Sequence, residues 1–113
     1  MFIKYNPVTT QTAKTQCFNK EELEKMAYIL KAISHPNRLM IVSLLNQYGT
    51  LNVGTLCEKM ECGQALVSHH LTDMESKGIL HLRREGRNAY YSLTDDHITQ
   101  AMKCIMMCRQ LHS

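Results

Sequence analysis

Leu23, Met26, Ala27, Leu30 and Ile33 recur at the three- and four-residue spacing that lines up side chains on one helix face. Asn19 stands ahead of them as an N-cap, and Glu21, Glu22 and Glu24 suit the positive end of the helix dipole. Ser34-His35-Pro36 interrupts the pattern, and Pro36 fits the first position of a second helix, where a missing N–H costs nothing. That helix carries Leu39, Ile41, Val42, Leu44 and Leu45 around much of its girth, which predicts a central place in the core; Gly49 ends it. Leu51 and Val53 predict a short strand beside a later hairpin, and Asn52 caps a third helix through Leu56, Cys57 and Met60.

After a tight connection at Cys62-Gly63, Val67, His70, Leu71 and Met74 mark one face of a fourth helix, and Gly78 supplies the left-handed residue that stops it. Ile79, Leu80 and Leu82 then lead as a strand into the charged turn Arg83-Arg84-Glu85-Gly86-Arg87-Asn88, and Tyr90-Tyr91-Ser92-Leu93 returns as a second strand. Thr94, Asp95 and Asp96 start a last helix with a broad apolar face of Ile98, Ala101, Met102, Ile105, Met106 and Leu111. The pattern predicts a mainly α fold with a small β-hairpin wing, a winged helix-turn-helix of order α-α-α-α-β-β-α. A small domain covers only one side of its last helix, so the surplus apolar surface predicts dimerisation through the terminal helices. Residues 1–18, polar with Pro7 and without sustained period, predict a flexible N-terminal arm ahead of one domain over 19–113.

Composition narrows the use of such a fold. With 113 residues and a formal charge of only +3, the chain lacks the global charge of an architectural DNA binder, so an electrostatic footprint must be local. The hairpin tip, with Arg83, Arg84 and Arg87, is where positive charge concentrates. Eight Met, with abundant Leu and Ile, suggest an adaptable helical core. Five Cys, an odd number, and no leading apolar run predict a cytoplasmic protein with reduced thiols. No stretch approaches the roughly 20 apolar residues of a membrane span.

A helix followed by an arginine-tipped hairpin suits double-stranded DNA, the helix in the major groove and the tip on the backbone or in the next minor groove. Gln64, Ala65, Ser68 and His69 would point away from the Val67 face. Glutamine can pair with adenine, serine can reach a phosphate or a base, and alanine can touch a thymine methyl. Arg83, Arg84 and Arg87 are the backbone candidates. The plainer alternatives are a polar helix surface and a solvated hairpin in which Glu85 pairs with a neighbouring arginine. His70 reads as a packed or internally hydrogen-bonded residue tying its helix to its neighbours.

The pieces ILKAISHPNRLMIVSLL, VGTLCEKMECGQALVSHHL and GILHLRREGRNAYYSL, together with Ser68-x-His70-Leu71, resemble the ArsR-type (arsenic-repressor-like) family of winged-helix regulators over roughly Leu23 to Cys108. The resemblance implies a homodimeric repressor on a palindromic operator, released when a metal ion or an oxidant is sensed. The family's third-helix cysteine cluster is broken, because Glu58 and Lys59 follow Cys57 and Cys62 falls on another face. Its last-helix metal site is partly matched. Asp95 and His97 occupy the first two places and Cys108 the third, while Leu111, beside His112, replaces the fourth. Asp, His and Cys suit zinc if two copies bring the ends of their last helices together. Asp95 equally suits an ordinary helix start, and a cysteine on an apolar helix is more often core. Cys104 and Cys108, one turn apart, with Cys17 from the arm, are the candidates for thiol sensing, although disulfide geometry within one turn is poor and the family's usual second-helix cysteine is missing.

An enzyme is not expected. Cys57, Cys62, His69 and His70 lie in one region without an orienting third group or a glycine-rich loop. The alternative from another class is a winged-helix protein-interaction module without operator binding. An acidic reading face would favour it, and Asp73 and Glu75 sit too late on the helix to decide.

Overall fold

The computed structural model describes residues 17–112. Residues 1–16 of the predicted arm lie outside the described residues, as do the side chains of 109–112, including that of Leu111. The elements are α1 (Lys20–Ile33), α2 (Pro36–Tyr48), β1 (Thr50–Asn52), α3 (Val53–Met60), α4 (Gln64–Ser76), β2 (Leu80–Glu85), β3 (Asn88–Leu93) and α5 (His97–His112). No helix among the described residues is long and apolar enough to cross a membrane.

The chain divides into two units, Met1–Lys31 and Ala32–Ser113. In the first, α1 opens with a capping box. Asn19 Oδ1 accepts from the Glu22 amide at 2.8 Å, and Glu22 Oε1 accepts from the Asn19 amide at 3.0 Å. Leu23, Met26 and Leu30, the apolar row that predicted this helix, are exposed.

In the second unit α2 is central, as its apolar girth predicts. Ile41, Val42 and Leu45 are enclosed together with Leu56, Met60, Val67, Leu71, Met74, Ile79, Leu80 and Tyr91. Methionine contributes less to this core than composition suggests: Met60 and Met74 are buried, while Met40, Met106 and Met107 are exposed. His35 caps α2, its Nδ1 accepting from the Asn37 amide, and Pro36 takes the first turn. Asn52 caps α3 by accepting from the Thr55 amide at 2.8 Å. That cap corrects one expectation, since Val53 opens the helix and does not extend the strand. The turn from α3 to α4 runs through Glu61 in the left-handed conformation at φ 55°, a place where the sequence pattern favours glycine or asparagine.

The sheet is antiparallel in the order β1-β3-β2. Tyr91 of β3 faces Leu51 on one side and Leu82 on the other, and Arg83 and Arg84 of β2 oppose Tyr90 and Ala89. Gly86 and Arg87 form the two-residue turn, with φ +59° at Gly86, the positive value that the first position of a II′ hairpin turn demands. Thr94 fastens the far end of the hairpin to the turn after α4, its single hydroxyl hydrogen shared between the carbonyls of Gly78 (2.8 Å) and Ile79 (3.0 Å).

Candidate nucleic-acid interface

Gln64, Ser68 and Thr72 are four residues apart, so they form one row along α4. This row and the hairpin enclose a groove of about 440 Å³, whose far wall carries Arg84, Arg87 and Asn88. Asn52, Val53 and Gly54, at the start of α3, also line it, together with Ala89 and Tyr91. Gln64 and Thr72 are exposed and Ser68 half-buried. The groove is thus polar on the helix side and cationic on the wing side.

Ala65 and His69 are exposed on the same helix, beside this row and outside the groove lining. Arg83 is set apart. Side chains alternate along a strand, so Leu82 and Arg84 share one face of β2, and His81, Arg83 and Glu85 share the other. On that other face the Arg83 guanidinium pairs with Glu85 and lies 5.1 Å from the centre of the Tyr90 ring. Glu85 therefore takes up Arg83, and Arg84 and Arg87 remain turned to the groove. Thr72 is not among the residues that the sequence singles out. Its signal is the row itself, since it follows Ser68 by one more four-residue step.

The back of α4 is held by polar groups as well as by Val67, Leu71 and Met74. Arg38 on α2 donates through Nε to Nδ1 of buried His70 (2.9 Å) and through Nη1 to Asp73 (2.5 Å) and the Ala32 carbonyl (2.9 Å). Lys77 donates to the same Asp73 oxygen at 2.7 Å. Hydrogen bonds from Lys77 and then Arg38 hold the Asp73 carboxyl below the usual carboxylate range. Burial, followed by the charge of Arg38, pushes the His70 imidazole below its ordinary value. The expected tie between His70 and its neighbours is therefore present, through Arg38 and through the His35 ring, whose centroid lies 4.7 Å away.

This depression fixes a pH dependence. The unfolded chain takes up a proton at His70 near an ordinary value of roughly 6.5, while the folded chain resists it to lower pH. Stability from this group is complete above that value and declines as pH falls through the folded value. Urea unfolding between pH 8 and pH 5 is expected to show a falling midpoint on the acid side, and His70→Asn is expected to flatten it. An equally steep fall in His70→Asn would assign the loss to other groups.

The metal and thiol candidates sit on α5. His97 donates from its amide to Asp95 at 2.7 Å, which above all lowers the Asp95 pKa, and its ring nitrogen Nδ1 lies 2.6 Å from the same oxygen. Asp95, Asp96 and His97 bring one ligand atom each within 4.8 Å of one another, all exposed. Cys108 is eleven residues further along the helix, roughly 16 Å at 1.5 Å per residue. This cluster therefore offers zinc two carboxylates and an imidazole, and the Cys108 thiolate of the same chain lies out of its reach. Cys104 and Cys108 are exposed, against the tendency of helix cysteines to be core; Cys17, in the other unit, is also exposed.

Comparison with known proteins bears on the whole arrangement. A family model described as bacterial regulatory protein, arsR family, matches residues 35–81, from the cap of α2 into β2. An uncharacterized HTH-type transcriptional regulator of Methanocaldococcus jannaschii is 35% identical over 85 residues, 75% of this chain and 96% of that protein. The cadmium resistance transcriptional regulatory protein CadC homolog of Staphylococcus aureus is 34% identical over 74% of this chain and 69% of its own length. Among solved structures, the transcriptional repressor PagR of Bacillus anthracis superposes with a TM-score of 0.69 at 33% identity, covering 77% of this chain and 99% of that one.

Proposed function

The chain belongs to the arsR family of bacterial regulatory proteins, which are transcriptional regulators and not enzymes, and from that premise we propose how it works as a DNA-binding regulator. The protein is a cytoplasmic homodimeric repressor that reads a palindromic operator. Gln64, Ala65, Ser68 and His69, joined by Thr72, meet base edges and nearby phosphates in the major groove. Arg84 and Arg87, with a smaller share from Arg83, hold the backbone. The observation that carries this reading is the groove in which the Gln64–Ser68–Thr72 row faces Arg84 and Arg87. Asp73, one of the two acidic residues late on α4, is engaged by Arg38 and Lys77, and Gln64, Ser68 and Thr72 leave the reading row without a carboxylate.

Pairing occurs through the terminal helices, a reading supported by exposed Leu23, Met26 and Leu30 on α1 and exposed Ile105, Met106 and Met107 on α5. In such a dimer Asp95 and His97 of one copy and Cys108 of the other would hold zinc, which would supply a charge able to favour one dimer geometry over another. Oxidation at Cys104, Cys108 and Cys17 is the second route of release. The test is fluorescence anisotropy on DNA upstream of the protein's own gene, with reduced, metal-free protein, followed by zinc and then by peroxide. Salt-sensitive binding released by zinc supports the metal route, and release by peroxide alone supports the thiols. Affinity no greater than for a random duplex removes the operator reading.

The hairpin makes a separate prediction. Arg84→Ala and Arg87→Ala are each expected to weaken all duplexes alike and to lower the slope of log affinity against log salt by about one unit for each phosphate left unneutralised. Arg83→Ala, whose side chain is already paired on the other face, is expected to change that slope by less than half as much. Equal slopes for the three variants would show that strand sidedness does not decide which arginine meets phosphate.

A further inference from the structure

We propose that Arg38 is a positioning residue for the DNA-reading helix, holding α4 through His70 and Asp73 at the rotation from which the Gln64–Ser68–Thr72 row faces the groove. The inference rests on the DNA-binding reading above. At 3.6 residues per turn, His70 and Asp73 lie roughly 170° around α4 from the middle of that row. Arg38 therefore grips the helix on the side away from the reading edge. Val67, Leu71 and Met74 are fully enclosed and fix how deeply the helix sits. Apolar contact is non-directional, so it constrains rolling about the helix axis less well than hydrogen bonds do.

The clamp has that directionality. One guanidinium reaches an imidazole through Nε and a carboxylate through Nη1, one turn apart on α4, and the same Nη1 also donates to the Ala32 carbonyl. Its side chain is only 13% exposed. Arginine can only donate, so His70 Nδ1 accepts, and the hydrogen of a neutral imidazole must sit on Nε2. Nε2 is buried and has no hydrogen-bond partner among the described residues. A leucine there would avoid that cost; what the histidine adds is the acceptor for Arg38. Side-chain tips lie about 5–6 Å from a helix axis, so a roll of about 10° moves the reading groups by about 1 Å. That displacement is enough to take a hydrogen bond to a base edge out of range.

The probe is the tightest duplex that the wild-type protein selects from a random-sequence library, compared with a scrambled duplex of equal length. Affinities are measured across salt at a temperature where unfolding curves show every variant folded. Arg38→Met, which keeps the stem and loses the donors, is expected to reduce the selected-to-scrambled ratio about tenfold, with affinity for the scrambled duplex and its salt slope unchanged. His70→Leu is expected to do the same. His70→Asn, which keeps an acceptor near the Nδ1 position, is expected to restore most of the ratio. If Arg38→Met does not fold, the His70 pair and Asp73→Asn carry the same comparison. An unchanged ratio with lowered stability would make the cluster a fold-holding contact only and overturn the proposal. A salt slope lower by about one unit would overturn it too, by placing Arg38 on phosphate. A wild-type protein that selects no duplex would fail the DNA reading itself, and the positioning role with it.

Discussion

Leu71→Ala is expected to remove about 2–5 kcal/mol of folding stability, the range for truncating an enclosed leucine where the surroundings cannot collapse into the space. Leu71 has no exposed surface, and it belongs to the core shared by α2, α3, α4 and the hairpin. Domains of this size have only about 5–15 kcal/mol in total, so this one change consumes a large share. The measurable outcome is a urea midpoint lowered at unchanged m-value, with the melting temperature down by several degrees per kcal/mol. Leu66→Ala, five positions earlier on the same helix and 45% exposed, is expected to stay within about 0.5 kcal/mol of the parent protein. Similar losses from both would mean that α4 does not face the core as described.

Much of this architecture is legible in the sequence because its signals are local. Asn19, Asn52 and Pro36 mark helix starts by chemistry that acts within a few residues, and Gly78 marks a stop by its freedom at φ +81°. The period of Val67, Leu71 and Met74 fixes the buried side of α4, and so the outward place of Gln64 and Ser68. What stays hidden depends on residues distant in sequence or on register. Arg38 reaches His70 and Asp73 across 32 and 35 positions, and no periodicity signals such a meeting. The arginines look equivalent in the sequence, yet one step along a strand reverses the face, so the strand's place in the sheet puts Arg84 on the groove and Arg83 beside Glu85 on the other side. Glu61 carries no left-handed signal of its own; the turn imposes the conformation. Val53 carries strand propensity, and the Asn52 cap on the Thr55 amide overrides it.

On α5, Ile98, Met102, Ile105 and Met106 form one stripe at helical spacing, but only its first half meets this chain's core. Ile98 and Met102 pack there, whereas Ile105 is 61% and Met106 46% exposed. Met106 also edges a groove of about 430 Å³ between α2 and α5, lined with Met102 and Met107. A stripe that continues beyond its own core leaves apolar surface in water, at about 25 cal/mol for each Å² that a partner would cover. If a second copy covers it, Ile105→Glu combined with Met106→Glu places four carboxylates in the shared interface while touching little of the protomer's own core. The expected result is a particle of 13.0 kDa where the parent protein runs at twice that mass, with cooperative unfolding kept. DNA affinity is expected to fall by about two orders of magnitude or more, because two half-sites are no longer held by one molecule. Sedimentation equilibrium and anisotropy on the same samples read both quantities. A variant that keeps the doubled mass would move the dimer seat away from this stripe, and a lone protomer that binds DNA as tightly as the parent would break the link between pairing and operator recognition.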